Sequence, residues 1–344
     1  MKTLIPLTAL AALSLIPNSS PALAQASAAQ AAGRTKPSPL APSEIVAAAP
    51  KADWTAIPAS DLLVMDLAPD AKGRPRRVVI QLLPPPFSQG WIGNIRKLAG
   101  AHWWDGLSIN RVQDNYVVQW GDGNAEDKAK AKPLPEGLAV MPESEYTTDD
   151  LTVVVPFGKE PIFEGRKHAL RNFGNNRDAY AATVGFLDGW PIAYGGGGRL
   201  VGSTFETNAW PIHCYGMVGV GRDLPPNTGT GAELYVVIGH APRHLDRNIA
   251  LVGRVIEGIE HLSSLPRGTL PLGFYASPEE RTGIQSIRLG SEVADLPLYE
   301  YLSTESESFA KYADARANRR DDFFIRLAGG ADICNIPVPV RRAQ

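Results

Sequence analysis

Short apolar runs alternate with polar, turn-forming breaks along most of this chain. "DLLVMDLA" (61–68) and "RRVVIQLLP" (76–84) are β-rich runs separated by "PDAKGRP". Apolar runs bounded by Pro, Gly and Asp predict a strand pair. The next segment changes period. In "PFSQGWIGNIRKLAGAHWWDG", Trp91, Ile95 and Leu98 fall at helical spacing, which predicts an amphipathic helix. Ser88 is its candidate N-cap, and Gly90 weakens the first turn. Strand character returns in "LSINRV" and "YVVQWGD", then in "HCYGMVGVGR" and "AELYVVIG". The last two are joined by the turn-rich "DLPPNTGTG". "IALVGRVIEGIEHLSSL" runs from an apolar strand into a short helix. Many short strands with few helices predict a mainly β fold, a barrel or a sandwich.

Residues 124 to about 200 are less patterned. "NAEDKAKAKPLPEG" is loop-like and "LTVVVPF" is a candidate strand. "YGGGGR" (194–199) reads as a flexible turn. No Gly-Lys-Ser/Thr follows it, so it is not a phosphate loop. In the tail, "SESFAKYADARANRRDDFF" reads as a helix with one charged, solvated face.

Composition adds little to the fold and something to the function. The 344 residues are 44% hydrophobic and 20% charged, enough for one large or two small cores. A formal net charge of -2 argues against a general nucleic-acid binder. The N-terminus "MKTLIPLTALAALSLIPNSSPALAQA" has Lys2, an apolar stretch from Leu4 to Ile16, and Ala22-Leu23-Ala24 as an A-x-A site. It reads as a cleaved secretory signal peptide over 1–24. The Ala-, Pro- and Ser-rich stretch after it reads as a disordered linker over 25–52, with order beginning near Trp54. Beyond the signal, no apolar run is long enough to span a membrane. Export places the chain in the periplasm or outside the cell, where thiols can pair. Cys214 and Cys334 could be bridged, tying the tail to the main domain, or remain two buried thiols.

Three blocks, in order, resemble the cyclophilin-type peptidyl-prolyl isomerases. "RRVVIQLLPPPFSQGWIGNIRKLA" looks like that family's opening strand and first helix. "INRVQDNYVVQWGD" resembles its F-H-R-V-I-x-x-F-x-x-Q-G-G-D signature. "YGMVGVGRDLPPNTGTGAELYVVIG" and "HLDRNIALVGRVIEGIEHLSSL" resemble its later core. The resemblance implies a closed eight-stranded antiparallel barrel capped by two helices, spanning 53–266, with an insert at about 124–200 and a C-terminal extension over 267–344. It also implies a proline-binding groove on the outer wall. In that frame Arg111 is the catalytic arginine. Tyr116, Val117, Gln119, Met217, Glu233, Tyr235 and Leu245 are groove residues. The sequence departs from the family at His244 (usually Trp), Glu233 (Gln), Gly219 (Asn), Ile249 (His), Asn110 (His) and Trp120 (Gly).

The expected reaction, rotation about X–Pro bonds, breaks no bond, so it calls for no cofactor, metal or nucleophile. Amide resonance sets its barrier at about 18–20 kcal/mol. A guanidinium donating to the prolyl nitrogen binds the twisted amide best, while an apolar socket holds the ring. Gln119 would orient Arg111 or hold a substrate carbonyl, and Glu233 would pair with Arg111, either positioning it or competing for its donors. The expected partners are proline-containing unfolded or exported polypeptides. The alternative is a catalytically weak peptide-binding or scaffolding module, motivated by the altered polar rim.

Overall fold

The computed structural model describes residues 39–149, 152–154, 162–163, 178–195, 199–201, 204–206 and 208–343. The expected signal segment 1–24 lies outside the described residues, as does the linker up to residue 38.

In chain order the strands begin with β1 (Trp54–Ile57), β2 (Leu62–Leu67) and β3 (Arg76–Leu82), then β4 (Ser108–Val112) and β5 (Val117–Gly121). Next come β6 (Thr152–Val154), β7 (Ile162–Phe163), β8 (Thr183–Leu187), β9 (Trp190–Tyr194), β10 (Arg199–Val201), β11 (Thr204–Glu206) and β12 (Ala209–Pro211). The last are β13 (Met217–Val220), β14 (Leu234–Val237), β15 (Leu251–Glu257), β16 (Thr282–Leu289), β17 (Tyr299–Leu302) and β18 (Val340–Arg342). The helices are α1 (Pro42–Ala47), α2 (Gln89–Gly100), α3 (Glu260–Ser263) and α4 (Glu307–Ala317).

Eight antiparallel strands close a barrel in the order β13-β14-β5-β4-β16-β2-β3-β15. Strand period decides which side chains fill it. In β3, Val78, Ile80 and Leu82 join the main core, while Val79 faces outward onto Ile57, Leu62 and Tyr299. In β5, Val118 and Trp120 point in and Val117 points out. In β14, Leu234 and Val236 point in and Tyr235 and Val237 point out. Each buried apolar side chain contributes about 1.5–3 kcal/mol, so a one-residue slip would reverse both faces at once. The outward set on β5 and β14 builds the groove.

The helix over 89–100 forms as its spacing predicts, burying Trp91, Ile92, Ile95 and Leu98. Ser88, however, is not a side-chain cap: it sits at φ 55 and makes no cap hydrogen bond. A capping serine takes extended backbone to present its hydroxyl to the first helical N–H groups, and left-handed Ser88 departs from that geometry. Trp103 and Trp104 pack into the core, and Trp104 Nε1 donates to Ala232 O at 2.8 Å.

The domain limits read from the sequence need three corrections. Order begins before Trp54, because α1 lies inside the expected linker. Pro42 and Glu44 account for it: Pro at the first helical turn and Glu44 bonding back to Ala41 N–H stabilise even a short helix. The insert runs beyond 200, because β12 pairs with β9 in a three-stranded sheet with β8. The barrel does not end at 266. Strand β16, from the expected extension, pairs with β2 and β4 and completes it.

The rest of the tail is ordered. Its charged helix exists as α4 and buries Phe309, Tyr312 and Ala313 on one side. β17 and β18 form a sheet with β1. Cys214 and Cys334 are joined by a disulfide, and neither is free. No described helix is long and apolar enough to cross a membrane.

Candidate active-site groove

Strands β4 and β5 put Arg111 directly opposite Gln119. The half-buried guanidinium is held on three sides. Its Nη1 donates to Gln119 Oε1 at 3.2 Å and its Nε donates to Leu272 O at 2.6 Å. Its Nη2 donates to Gln113 Oε1. Two rings flank it, with its Cζ 5.7 Å from the Tyr116 centroid and 5.5 Å from that of Phe274. Burial lowers its pKa. All the acceptors are neutral, so the fork is fixed in place while its charge remains uncancelled.

Beside it lies an apolar patch. Val117, Tyr235 and Val237 are buried together, and Tyr116, Leu245 and Ile249 pack against them. Exposed His244, in the position expected for Trp, stacks on Tyr116 with centroids 6.3 Å apart. Arg111, Tyr116, Val117, Gln119, Tyr235 and Leu245 therefore come together as one groove.

Met217 does not join this patch. It packs in the main core and lines a separate cavity with Arg254, its cross-strand partner. The resemblance placed Met217 at the groove edge, but β13 turns it to the core side, next to a register shift between Val218 and Gly219.

Glu233 does not pair with Arg111 as expected. It reaches the arginine through Gln119, whose amide donates to its carboxylate, and the Asp122 backbone N–H donates there too. Its Oε1 is buried with no hydrogen-bond partner. Burial, with the nearby Asp122 charge adding to it, pushes the Glu233 pKa up to about 7. Gly121 and Gly221 make its space: a Cβ on Gly121 would stand 2.1 Å from Glu233 Oε1, and one on Gly221 2.9 Å from Glu233 Cβ.

Tyr235 differs from a phenylalanine by one hydroxyl, and that hydroxyl is fully used. It bonds His213 Nε2 at 3.0 Å, and His213 Nδ1 bonds Asp246 Oδ1 at 2.9 Å. Arg243 Nε donates to Asp246 Oδ2 at 2.7 Å, and the Arg243 guanidinium makes two more bonds to Asp178. With Nδ1–H donating to Asp246, Nε2 is left to accept from the tyrosine. Burial raises the Tyr235 pKa well above its usual value. Burial pushes Asp246 up as well, yet the hydrogen bonds from His213 and the Arg243 charge hold it below the usual carboxylate range. The Gly219 departure now has a cause. A Cβ there would meet Tyr235 Oη at 2.3 Å, so the larger ring requires the glycine.

Sequence reading missed His213, Asp178 and the neighbouring pair Arg243 and Asp246, which come from three separated stretches of the chain and share no motif. It also missed Leu272 and Phe274, which enter from beyond residue 266. Among the described residues, no group of three or more His, Cys, Asp or Glu is placed to hold a metal ion.

Comparison with known proteins agrees with this geometry. Residues 91–288 match the family described as cyclophilin type peptidyl-prolyl cis-trans isomerase/CLD. Among solved structures, the chain is similar to the cyclophilin AquaCyp293 from Hirschia baltica. The TM-score is 0.56 at 20% identity, covering 85% of this chain and 94% of that one, a likeness of fold. A cyclophilin type peptidyl-prolyl cis-trans isomerase of Cryptosporidium parvum aligns with a TM-score of 0.36 at 12% identity, over 66% of this chain and 97% of that one. Among curated proteins, the DNA primase TraC of Escherichia coli is 30% identical over 111 residues, 29% of this chain. The chain spans only 10% of that relative's length. The family match takes in more than half of the chain, and the closed barrel with its arginine-flanked apolar groove fits it: this chain belongs to the cyclophilin-type peptidyl-prolyl cis-trans isomerase family, and its barrel is that family's enzyme domain.

Proposed function

We propose that the chain is an exported prolyl isomerase that turns X–Pro bonds in unfolded envelope or secreted polypeptides. The observation that carries this reading is Arg111, a guanidinium held only by neutral acceptors beside an apolar socket. A guanidinium has five N–H donors, so three internal bonds leave donors for a substrate. Tyr116, Val117, Tyr235 and Leu245 hold the proline ring. The acyl side turns, and the prolyl nitrogen gains a lone pair in the twisted state. Arg111 donates to that lone pair more strongly than to the planar amide, which is selective stabilisation of the transition state. Gln119 orients the guanidinium and Glu233 orients Gln119.

Export is supported by the signal-like N-terminus and by the Cys214–Cys334 bridge, which persists in oxidising compartments. Intact mass of the protein recovered from a periplasmic extract tests this. A chain that retains residues 1–24 in the cytoplasm would refute export.

The test of catalysis is an isomerisation assay on X–Pro peptides with protein starting at about Gln25. Arg111→Ala should lower the acceleration about 10²–10³-fold while peptide binding persists. A variant that keeps the full rate would sink the role given to Arg111. A wild-type protein that binds these peptides without accelerating them would favour the second reading, a peptide-binding module. Glu233 favours that reading, because a titratable carboxyl group stands where the family usually carries a neutral amide.

A further inference from the structure

On the wall formed by β13 and β15, away from the groove, the structure encloses a second cavity of about 380 Å³. Met217 and Arg254 line it from the barrel. Ile336 and Val338 line it from the C-terminal segment, and so does the Cys214–Cys334 bridge that pins that segment down. Tyr215, 50% exposed, also lines it, so the cavity opens to solvent there.

Arg254 is the anomaly in this wall. It is only 6% exposed, yet among the described residues no carboxylate touches it. Its Nε and Nη2 donate to Gln81 Oε1 at 2.9 and 2.7 Å, and its Nη1 donates to Gly189 O at 2.7 Å. Its Cζ lies 4.5 Å from the Trp190 centroid. Of a guanidinium's five N–H donors, this leaves one on each terminal nitrogen. Burial pulls its pKa down to about 10.

A buried charge without a counter-charge is costly. The same protein solves that problem elsewhere in the ordinary way, pairing Arg243 with Asp178 and Asp246. Here it does not. The other cation lining the cavity, Arg316, donates only to Asn335 O. The lining contains no Asp or Glu, and everything besides the two arginines is apolar, aromatic or the disulfide.

We propose that this cavity binds a small amphipathic carboxylate, its head on Arg254 and its aliphatic chain against the apolar wall of the C-terminal segment. Two free N–H groups on one guanidinium suit a bidentate carboxylate. At about 30 Å³ per water-sized group, 380 Å³ has room for a head and a chain of about ten carbons.

Calorimetric titration of the oxidised protein with decanoate and with decanol tests this. Decanoate should bind at least about tenfold more tightly than decanol, since hydrogen bonds to charged groups are the stronger class. Arg254→Gln should bring decanoate down to the level of decanol. Val338→Trp, which fills the cavity from the tail and leaves Arg254 in place, should abolish binding of both with an unchanged circular dichroism spectrum. The comparison of the two ligands and the Val338 variant stand even if Arg254→Gln fails to fold. Equal affinity for decanoate and decanol, decanoate binding that survives Val338→Trp, or no decanoate binding at millimolar concentration would overturn the proposal.

Discussion

Arg111 and Arg254 stand on the same barrel, and their immediate surroundings are nearly twins. Each gives its donors to a glutamine side chain, Gln119 or Gln81, and to a backbone carbonyl, Leu272 or Gly189. Each lies against aromatic rings, and burial lowers the pKa of each. Neither meets a carboxylate among the described residues. What differs is the cover. Arg111 is half-buried on the outer wall beside the apolar patch of β5 and β14, whereas Arg254 lies beneath a C-terminal segment locked by a disulfide. Neutral acceptors orient a guanidinium without cancelling its charge. Access then decides what that charge can act upon.

The cover itself offers the largest test of this contrast. Cys214 and Cys334 are 120 residues apart, and a bridge closing so long a loop is worth about 3–5 kcal/mol. Serine at both positions should lower urea-derived stability by that amount. A loss below about 1 kcal/mol would mean that the tail is no clamp, and the contrast in cover would fail. Next comes Arg254→Ala, which empties a buried site and orphans the Gln81 and Gly189 oxygens. It should cost about 3 kcal/mol in urea melts. Arg111→Ala should cost under about 1 kcal/mol, because water reaches its former partners. Equal costs would erase the distinction between the two arginines.

A pH-dependent effect belongs to Glu233, whose pKa rises from 4.5 to about 7 on folding. The folded protein then holds this proton more tightly than the unfolded chain. Stability should fall as pH rises from about 4.5 through 7, by about 2–3 kcal/mol. Glu233→Gln should flatten that stretch of the profile. A wild-type profile already flat there would remove Glu233 from the account.

Much of the barrel was legible because its strands have clean boundaries. The runs at 62–67, 76–82, 117–121 and 234–237 alternate between core and outer wall, and turns bracket them. The grouping of Arg111, Tyr116 and Gln119 was expected from the resemblance of one short stretch to the family's signature, and the three residues do meet in space. Strand β16 was not legible. Its register shifts between Ile284 and Ser286, so its buried Ile284 and Ile287 stand three apart and imitate a helix. Arg254 was hidden for the opposite reason: an arginine within "LVGRVIE" reads as a solvent-facing position on an ordinary strand. The bonds from Tyr235 through His213 to Asp246 join residues 22 and 33 positions apart. Only folding brings them together, so no local pattern records them. Met217 was misplaced by carrying the family's groove-edge position over to a strand whose register shifts beside it, and Glu233 by the expectation that it would pair with Arg111 directly.

The late origin of β16 governs when this groove can work. The strand that closes the barrel and the Leu272 carbonyl that holds Arg111 both come from beyond residue 266. During synthesis, the signature around Arg111 emerges some 160 residues before its backbone support, a separation fixed by the Arg111–Leu272 bond. Until then the barrel has unpaired edges at β2 and β4, and the guanidinium lacks one of its three anchors. Maturation of the enzyme is thereby coupled to completion of its own chain, and a truncated product that carries the whole signature would still lack a finished site.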